Sequence, residues 1–428
     1  MARTVVGAVV CTFTFGAALA GPQTQLIGVR ALDGGLSIEP TAINSAGTIV
    51  TGHSDSSSGR HAFLWTAAGG LQDLGLMPDF TQTFAYGLSD DGTFVAGIGG
   101  FTGQDRAFGW TAATGAQALI PAWQNVLSTV NGVSASGACA GGFELAPGGH
   151  LRAYRWSPQT GVQNLGVTAP TEQVSSLAYA ISRDGQTVIG VSGTGEPGIG
   201  PQTSTNFRWT SATGMVPIPH YPGANGTIST AVSNSGVISG YAYVNFQSLP
   251  IRWVSGATSS VSALPMLPGA SSAQPMCISD DGSTIGGYTS TEQGNVATLW
   301  TDSSGAIDLN AYLASRGVVM TQWKLEGVRA LNADASVVAG YGTFRGFPRM
   351  FVVTGLNLPC TSADVAGAGQ LIGPDGSLTA DDIIVFIGWF FTSDPRADIA
   401  GAGQSIGADG QFTADDIILF VNRFFAGC

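Results

Sequence analysis

The sequence predicts an all-β protein, a seven-bladed β-propeller of four-stranded blades, followed by a small α-helical domain. Three observations carry that prediction. A strand-turn-strand unit ending in glycine recurs seven times, an aromatic strand follows each copy, and the C-terminal residues contain a separate duplication with a period of 34. Residues 1–20 read as a leader, 21–357 as the propeller and 358–428 as the helical domain.

The glycine-ended unit runs from Ala42 to Gly52 (AINSAGTIVTG), Gly87 to Gly97 (GLSDDGTFVAG), Gly132 to Gly142 (GVSASGACAGG) and Ala180 to Gly190 (AISRDGQTVIG). It returns at Ala231 to Gly240 (AVSNSGVISG), Cys277 to Gly287 (CISDDGSTIGG) and Ala330 to Gly340 (ALNADASVVAG). Closing glycines fall 45, 45, 48, 50, 47 and 53 residues apart. A propeller blade takes roughly 40 to 50 residues, whereas a solenoid coil is shorter and a single sandwich does not need seven equal modules.

A second block follows each copy: AFLWT at Ala62, AFGWT at Ala107, AYRWS at Ala153, NFRWT at Asn206, PIRWV at Pro250, ATLWT at Ala297 and RMFVV at Arg349. Six of the seven contain Trp, and aromatic and β-branched residues suit a pleated, half-buried surface. A glycine turn and a short apolar run complete the period, as in GLQDLG at Gly70, GAQALI at Gly115 and GVQNLG at Gly161. Asp-Gly and Ser-Gly turns supply the positive φ that tight hairpins need, so one period holds about four strands. After Val353 no fourth strand is evident. The orphan run Leu26 to Leu32 is expected to complete that last blade and close the ring, leaving no long edge unpaired.

These blocks resemble the extracellular HAF-repeat family, whose name His61, Ala62 and Phe63 spell out, over roughly residues 37–353. The resemblance implies a secreted, propeller-like module and supplies no catalytic residues.

Composition agrees with export. Charged residues make up 10% of the chain, there are 62 glycines, and the formal charge is −12. Nucleic acid is excluded, because phosphate binding requires a basic surface. Met1 to Ala20 reads as a secretory signal peptide, with Arg3, an apolar stretch from Val5 to Ala18 and a small-residue cleavage site ending at Ala20. No span is expected in the mature chain, since no later segment reaches about 18 apolar residues. The expected location is extracellular or cell-surface.

Cys139 and Cys277 belong to distant repeats and are expected as buried strand residues. Cys360 and Cys428 bracket the C-terminal segment, which in an oxidising compartment favours a disulfide closing it. Within it, Asp364 to Phe390 is repeated as Asp398 to Phe424, each copy a Gly-rich loop followed by an amphipathic helix.

The half-motif DGSLTADD (Asp375 to Asp382) and its twin DGQFTADD (Asp409 to Asp416) order their residues as a calcium loop does. A carboxylate and glycine turn the chain, the next residue offers its carbonyl, and a last carboxylate opens the helix. Candidate ligands are therefore Asp364, Asp375, Ser377, Thr379 and Asp382, with Asp398, Asp409, Gln411, Thr413 and Asp416 in the second copy. Helix capping is the competing account of the aspartates that precede the two apolar runs.

The duplication, together with the closing Gly427 and Cys428, resembles the dockerins, most closely the EF-hand-like GC-type dockerin anchor of exported planctomycete-type proteins, over Cys360 to Cys428. That resemblance implies calcium binding and a cohesin-like or cell-envelope partner. The sequence departs from it where ten residues separate Asp364 from Asp375 and where Ala366 and Ala368 stand at ligand positions, which points to weak binding or one silent loop.

No catalytic constellation emerges. The four histidines, His53, His61, His150 and His220, are scattered, and surface or turn placement is expected for His53 and His61. The acidic residues Asp90, Asp91, Asp184, Asp280 and Asp281 lie in repeat turns. The sequence thus favours an exported, non-catalytic interaction module attached through its C-terminal domain. The alternative is a polysaccharide-binding or glycoside-hydrolysing propeller delivered to a cellulosome-like assembly.

Overall fold

A computed structural model describes residues 24–100, 105–120, 126–145, 149–169, 174–194, 204–254, 260–301, 304–358, 365–367, 370–372, 379–401, 405–406 and 411–426. Seven antiparallel four-stranded sheets form a propeller ring. The first strands of blades 1 to 7 are Ile38–Ile43, Thr83–Leu88, Ser128–Val133, Val174–Ile181, Gly226–Val232, Ser272–Ile278 and Trp323–Leu331.

The N-terminal strand Gln25–Val29 pairs antiparallel with Phe347–Thr354, from Gln25 against Thr354 to Val29 against Met350. It is the fourth strand of blade 7, as the orphan apolar run predicted. The closure therefore joins the two ends of the propeller through a sheet and gives blade 7 the same four strands as the other six.

Seven apolar clusters hold the ring, and each spans two neighbouring blades. Ala62 and Leu64 of blade 1 pack with Ala85, Val95 and Phe108 of blade 2, and the circle closes where Val29, Ala339 and Met350 of blade 7 meet Ile38, Val50 and Phe63 of blade 1. This explains the repeated aromatic block. Ala62, Ala107 and Ala153 are buried, and their amides donate to Thr83, Ser128 and Ser176 of the following blade. Phe63, Phe108, Tyr154 and Phe207 fill the interfaces. Cys139 and Cys277 are free and buried in such interfaces, and burial pushes the Cys277 thiol up to about 12 and Cys139 higher still.

The closing glycines have one shared cause. In every blade the first strand carries a bulge, and the glycine of the second strand sits opposite it. A Cβ on Gly52, Gly97, Gly190, Gly240, Gly287 or Gly340 would collide with the backbone carbonyl of Glu39, Phe84, Leu177, Ile228, Gln274 or Gly327 respectively. In blade 3 the residue in that position is Gly141, against Thr129, and not Gly142, so this unit closes one residue earlier than the sequence pairing suggested.

The 53-residue interval before Gly340 contains an unanticipated helix, α1 (Leu309–Ser315), between blades 6 and 7. Asp308 caps it by accepting from the amides of Asn310 and Ala311, and Leu309 and Leu313 are buried. In the C-terminal segment, α2 (Ala380–Phe391) and α3 (Ala414–Ala426) are the two expected helices. Their equivalent residues Phe386 and Phe420 stack with ring centroids 3.9 Å apart, forming the centre of a small core of their own. No helix among the described residues is long and apolar enough to cross a membrane.

Candidate functional site

The seven bulges converge on the axis. A bulge leaves one residue unpaired and re-aims its side chain. The residues so placed are Thr41, Tyr86, Asn131, Tyr179, Thr230, Met276 and Arg329, and all seven line one axial cavity of about 180 Å³. Two of them also tie neighbouring blades together, since Thr41 Oγ1 donates to Ala85 O at 2.9 Å and Asn131 Nδ2 to Ala178 O at 2.7 Å.

One end of the axis is closed. The turns between first and second strands lie there, linked by backbone bonds from blade to blade: Asp90 N to Ala135 O, Ala135 N to Arg183 O, Asn234 N to Asp280 O, Asp280 N to Ala333 O, and Ala333 N to Ser45 O. Between Ser45 and Asp90 the link is a carboxylate, which accepts from Ser45 N and Oγ. Arg183 then spans the axis. Its guanidinium meets Asp280 at 2.8 Å and donates to the carbonyls of Ile43 and Leu331, both at 3.0 Å, so one blade-4 side chain holds blades 6, 1 and 7.

The repeat-turn aspartates serve this closed end. Hydrogen bonds from Ser89 and Thr93 hold the Asp91 carboxyl below the ordinary range. At Asp281 burial acts upward, but bonds from Ser279 and Ser283 outweigh it and the net shift is downward. Asp184 accepts from Ser182 Oγ and Gln186 N in the same fashion.

The opposite end is different in chemistry. On the blade 7 to blade 2 side, Arg329 pairs with Glu39 at 3.0 Å and lies over the Tyr341 ring, while His53 packs edge-on against Phe84. Arg329 Nε and His53 Nδ1 are buried and have no hydrogen-bond partner among the described residues. Burial lowers the His53 pKa to about 4, with Arg60 and Arg329 adding to it against the pull of Glu39, so the ring is neutral near pH 7. On the blade 4 to blade 6 side, Tyr179, Tyr241 and Tyr288 have their pKa values raised by burial and remain hydroxyl donors. Apolar residues stand out on the rim beyond them, with Phe246 fully exposed and Phe347 64% exposed on hairpins joining second and third strands.

His61 is not a turn residue. It lies within the third strand of blade 1, is buried, and sits 2.8 Å from Asp73 of the fourth strand through Nδ1. His53 is likewise in a strand and half-buried.

Of the candidate metal ligands, Asp364, Asp375, Ser377 and Asp409 lie outside the described residues, as do Cys360, Cys428 and the leader. The described members are arranged as caps. Asp382 is fully buried and accepts from the amides of Val365, Ala366 and Thr379 at 2.7–2.8 Å, while Thr379 caps α2 by accepting from Asp381 N. Asp416 repeats the pattern with Ile399 N and Thr413 N, both at 2.8 Å, and Thr413 accepts from Asp415 N. Three amides occupy most of the roughly four acceptor positions of the Asp382 carboxylate. That carboxylate therefore fits a direct cation contact poorly, and a bound ion would draw its oxygens from the rest of the set. Asp398 and Gln411 are half-buried and exposed respectively.

The axial residues were missed from sequence because a bulge is visible only once the partner strand is known. The signal was nevertheless present: each bulged residue immediately precedes the first residue of a repeat unit.

No family model matches the chain and no curated protein matches its sequence. Solved structures do match in fold. The oligogalacturonate lyase of Vibrio parahaemolyticus aligns at 11% identity and a TM-score of 0.50, over 78% of this chain and 98% of that one. TolB from Acinetobacter baumannii aligns at 11% identity and a TM-score of 0.39 over 74% of this chain, which spans only 63% of TolB. Prolyl oligopeptidase B from Galerina marginata aligns at 9% and 0.46 over 76% of this chain and 48% of that one. At 11% identity and a TM-score of 0.50, the first of these alignments shows the fold alone.

Proposed function

We propose that this chain is an exported, non-catalytic propeller that binds its ligand at the tyrosine-lined end of the axis and is attached through its C-terminal helical pair. The observation that supports this most directly is the inequality of the two ends. The repeat-turn carboxylates and Arg183 are consumed in sealing one end, whereas the other offers uncharged tyrosine hydroxyls, an ion-paired Arg329 with an unpartnered Nε, and exposed aromatic rims. Ligand sites combine apolar walls with a few placed polar groups in this manner.

The attachment unit is read from the duplicated helices. Ile384 and Ile418 occupy equivalent positions in the two copies and are both exposed, 49% and 40%. A partner of cohesin or envelope type would cover them, and calcium held at the Asp375 and Asp409 turns would fix the loops before each helix.

The two roles separate experimentally. Arg329→Gln should abolish soluble-ligand binding and leave cell-surface retention intact, and Ile384→Asp with Ile418→Asp should do the reverse. Release of reducing ends from a polysaccharide, lost in Glu39→Gln, would replace this reading with a catalytic one.

A further inference from the structure

Between blades 4 and 5, at the tyrosine-lined end, lies a cleft of about 300 Å³, at the small end of the range for ligand sites. Val191 and Ile228 form apolar walls, Tyr179 and Tyr243 supply aromatic faces, and among the described residues no charged side chain lines it. Phe246 stands at its rim.

The backbone at Phe246 is unusual for its residue type. Val244 pairs with Gln247, so Asn245 and Phe246 form a two-residue turn with φ of +50° and +66°. Such turns favour glycine at the second position, and the matching blade 7 turn, Arg345 and Gly346, has it. Blade 5 instead holds a fully exposed aromatic ring in a left-handed conformation that disfavours it. Strain of this kind, at a cleft, points to use.

We propose that this cleft binds one neutral sugar ring of an oligosaccharide, with Phe246 and Tyr243 as the stacking faces. The choice of ligand follows from the polar groups left over. Tyr179, Ser204 and Asn225 line the cleft, and none of their side chains has a hydrogen-bond partner among the described residues. A hydrocarbon group would leave all three unused, and an anion would find no cation among the described residues that line the cleft. A pyranose presents C–H groups on its faces and hydroxyls around its edge, which matches aromatic walls surrounded by hydroxyl and amide groups. Burial raises the Tyr179 pKa, which keeps its hydroxyl protonated as a donor.

This inference rests on the reading of the tyrosine-lined end as the binding end. It is tested on the full chain by saturation-transfer NMR and calorimetry with cellohexaose, xylohexaose, mannohexaose and chitohexaose. At least one should bind, and Phe246→Gly, which relieves the turn and cannot be blamed for misfolding, should weaken it at least tenfold with no loss of Tm. Phe246→Trp should retain binding. Failure of all four sugars, or undiminished binding by Phe246→Gly, overturns the proposal. If Phe246→Gly binds normally and Arg329→Gln does not, the axial reading stands and the cleft falls; if both bind normally, both fall.

Discussion

Gly97 lies so close to the carbonyl of Phe84 that no side chain can enter between them. The contact exists because the bulge at Tyr86 swings that carbonyl toward the neighbouring strand, and it recurs in all seven blades. Gly70, by contrast, has φ of +70° but open space around its Cα.

Two alanine substitutions should therefore cost unequally. Gly97→Ala forces the strands apart, and about 3 kcal/mol of stability should be lost. Gly70→Ala carries only left-handed strain, about 1 kcal/mol. Chemical denaturation of both variants provides the comparison, and equal losses would remove the carbonyl contact as the reason for the repeated glycine.

Arg183 is a keystone across the axis, with its side chain only 19% exposed. Arg183→Met should cost about 3 kcal/mol, because Asp280 is left without its cation and two carbonyls lose a donor. Arg183→Lys should recover little, since an ammonium cannot direct separate donors to three blades. Thermal melting of the two variants checks the ranking.

His53 makes stability depend on pH in a defined window. Its pKa is lowered from 6.5 to about 4 in the folded state, so the unfolded chain binds more protons between those values. The contribution is complete above pH 6.5, is lost as pH falls, and levels off below about 4. On the order of 2–3 kcal/mol is at stake. Melting curves of His53→Gln should lack this component while the parent protein shows it.

Capping and calcium separate at Asp382 and Asp375. Asp382→Ala leaves three amides without their acceptor and should abolish the helical signal of the C-terminal segment with or without calcium. Asp375→Ala should reduce only the increment that calcium adds. Circular dichroism of the full chain with calcium or chelator reads both, and the propeller transition should not move in either.

Much of the architecture was legible in the sequence because each blade interface repeats the same packing problem. Ala62, Phe63 and Trp65 recur as Ala107, Phe108 and Trp110, and an orphan strand at one end answered a missing strand at the other. The duplicated aspartates and apolar runs likewise announced two helices with acidic first turns. Helix α1 escaped because seven residues after a single capping aspartate make too short a pattern to distinguish from a strand connection.

What the sequence determined by itself was periodic: blade count, strand order, ring closure and the helical pair, all products of local pattern and nearest-neighbour burial. What the tertiary structure decided was the axis. Arg183 meets Ile43 and Leu331 only because the ring brings residues 140 and 148 positions apart together, and the side chains at seven separate bulges line one cavity. Neither relation is periodic in sequence, so only closure of the ring reveals it.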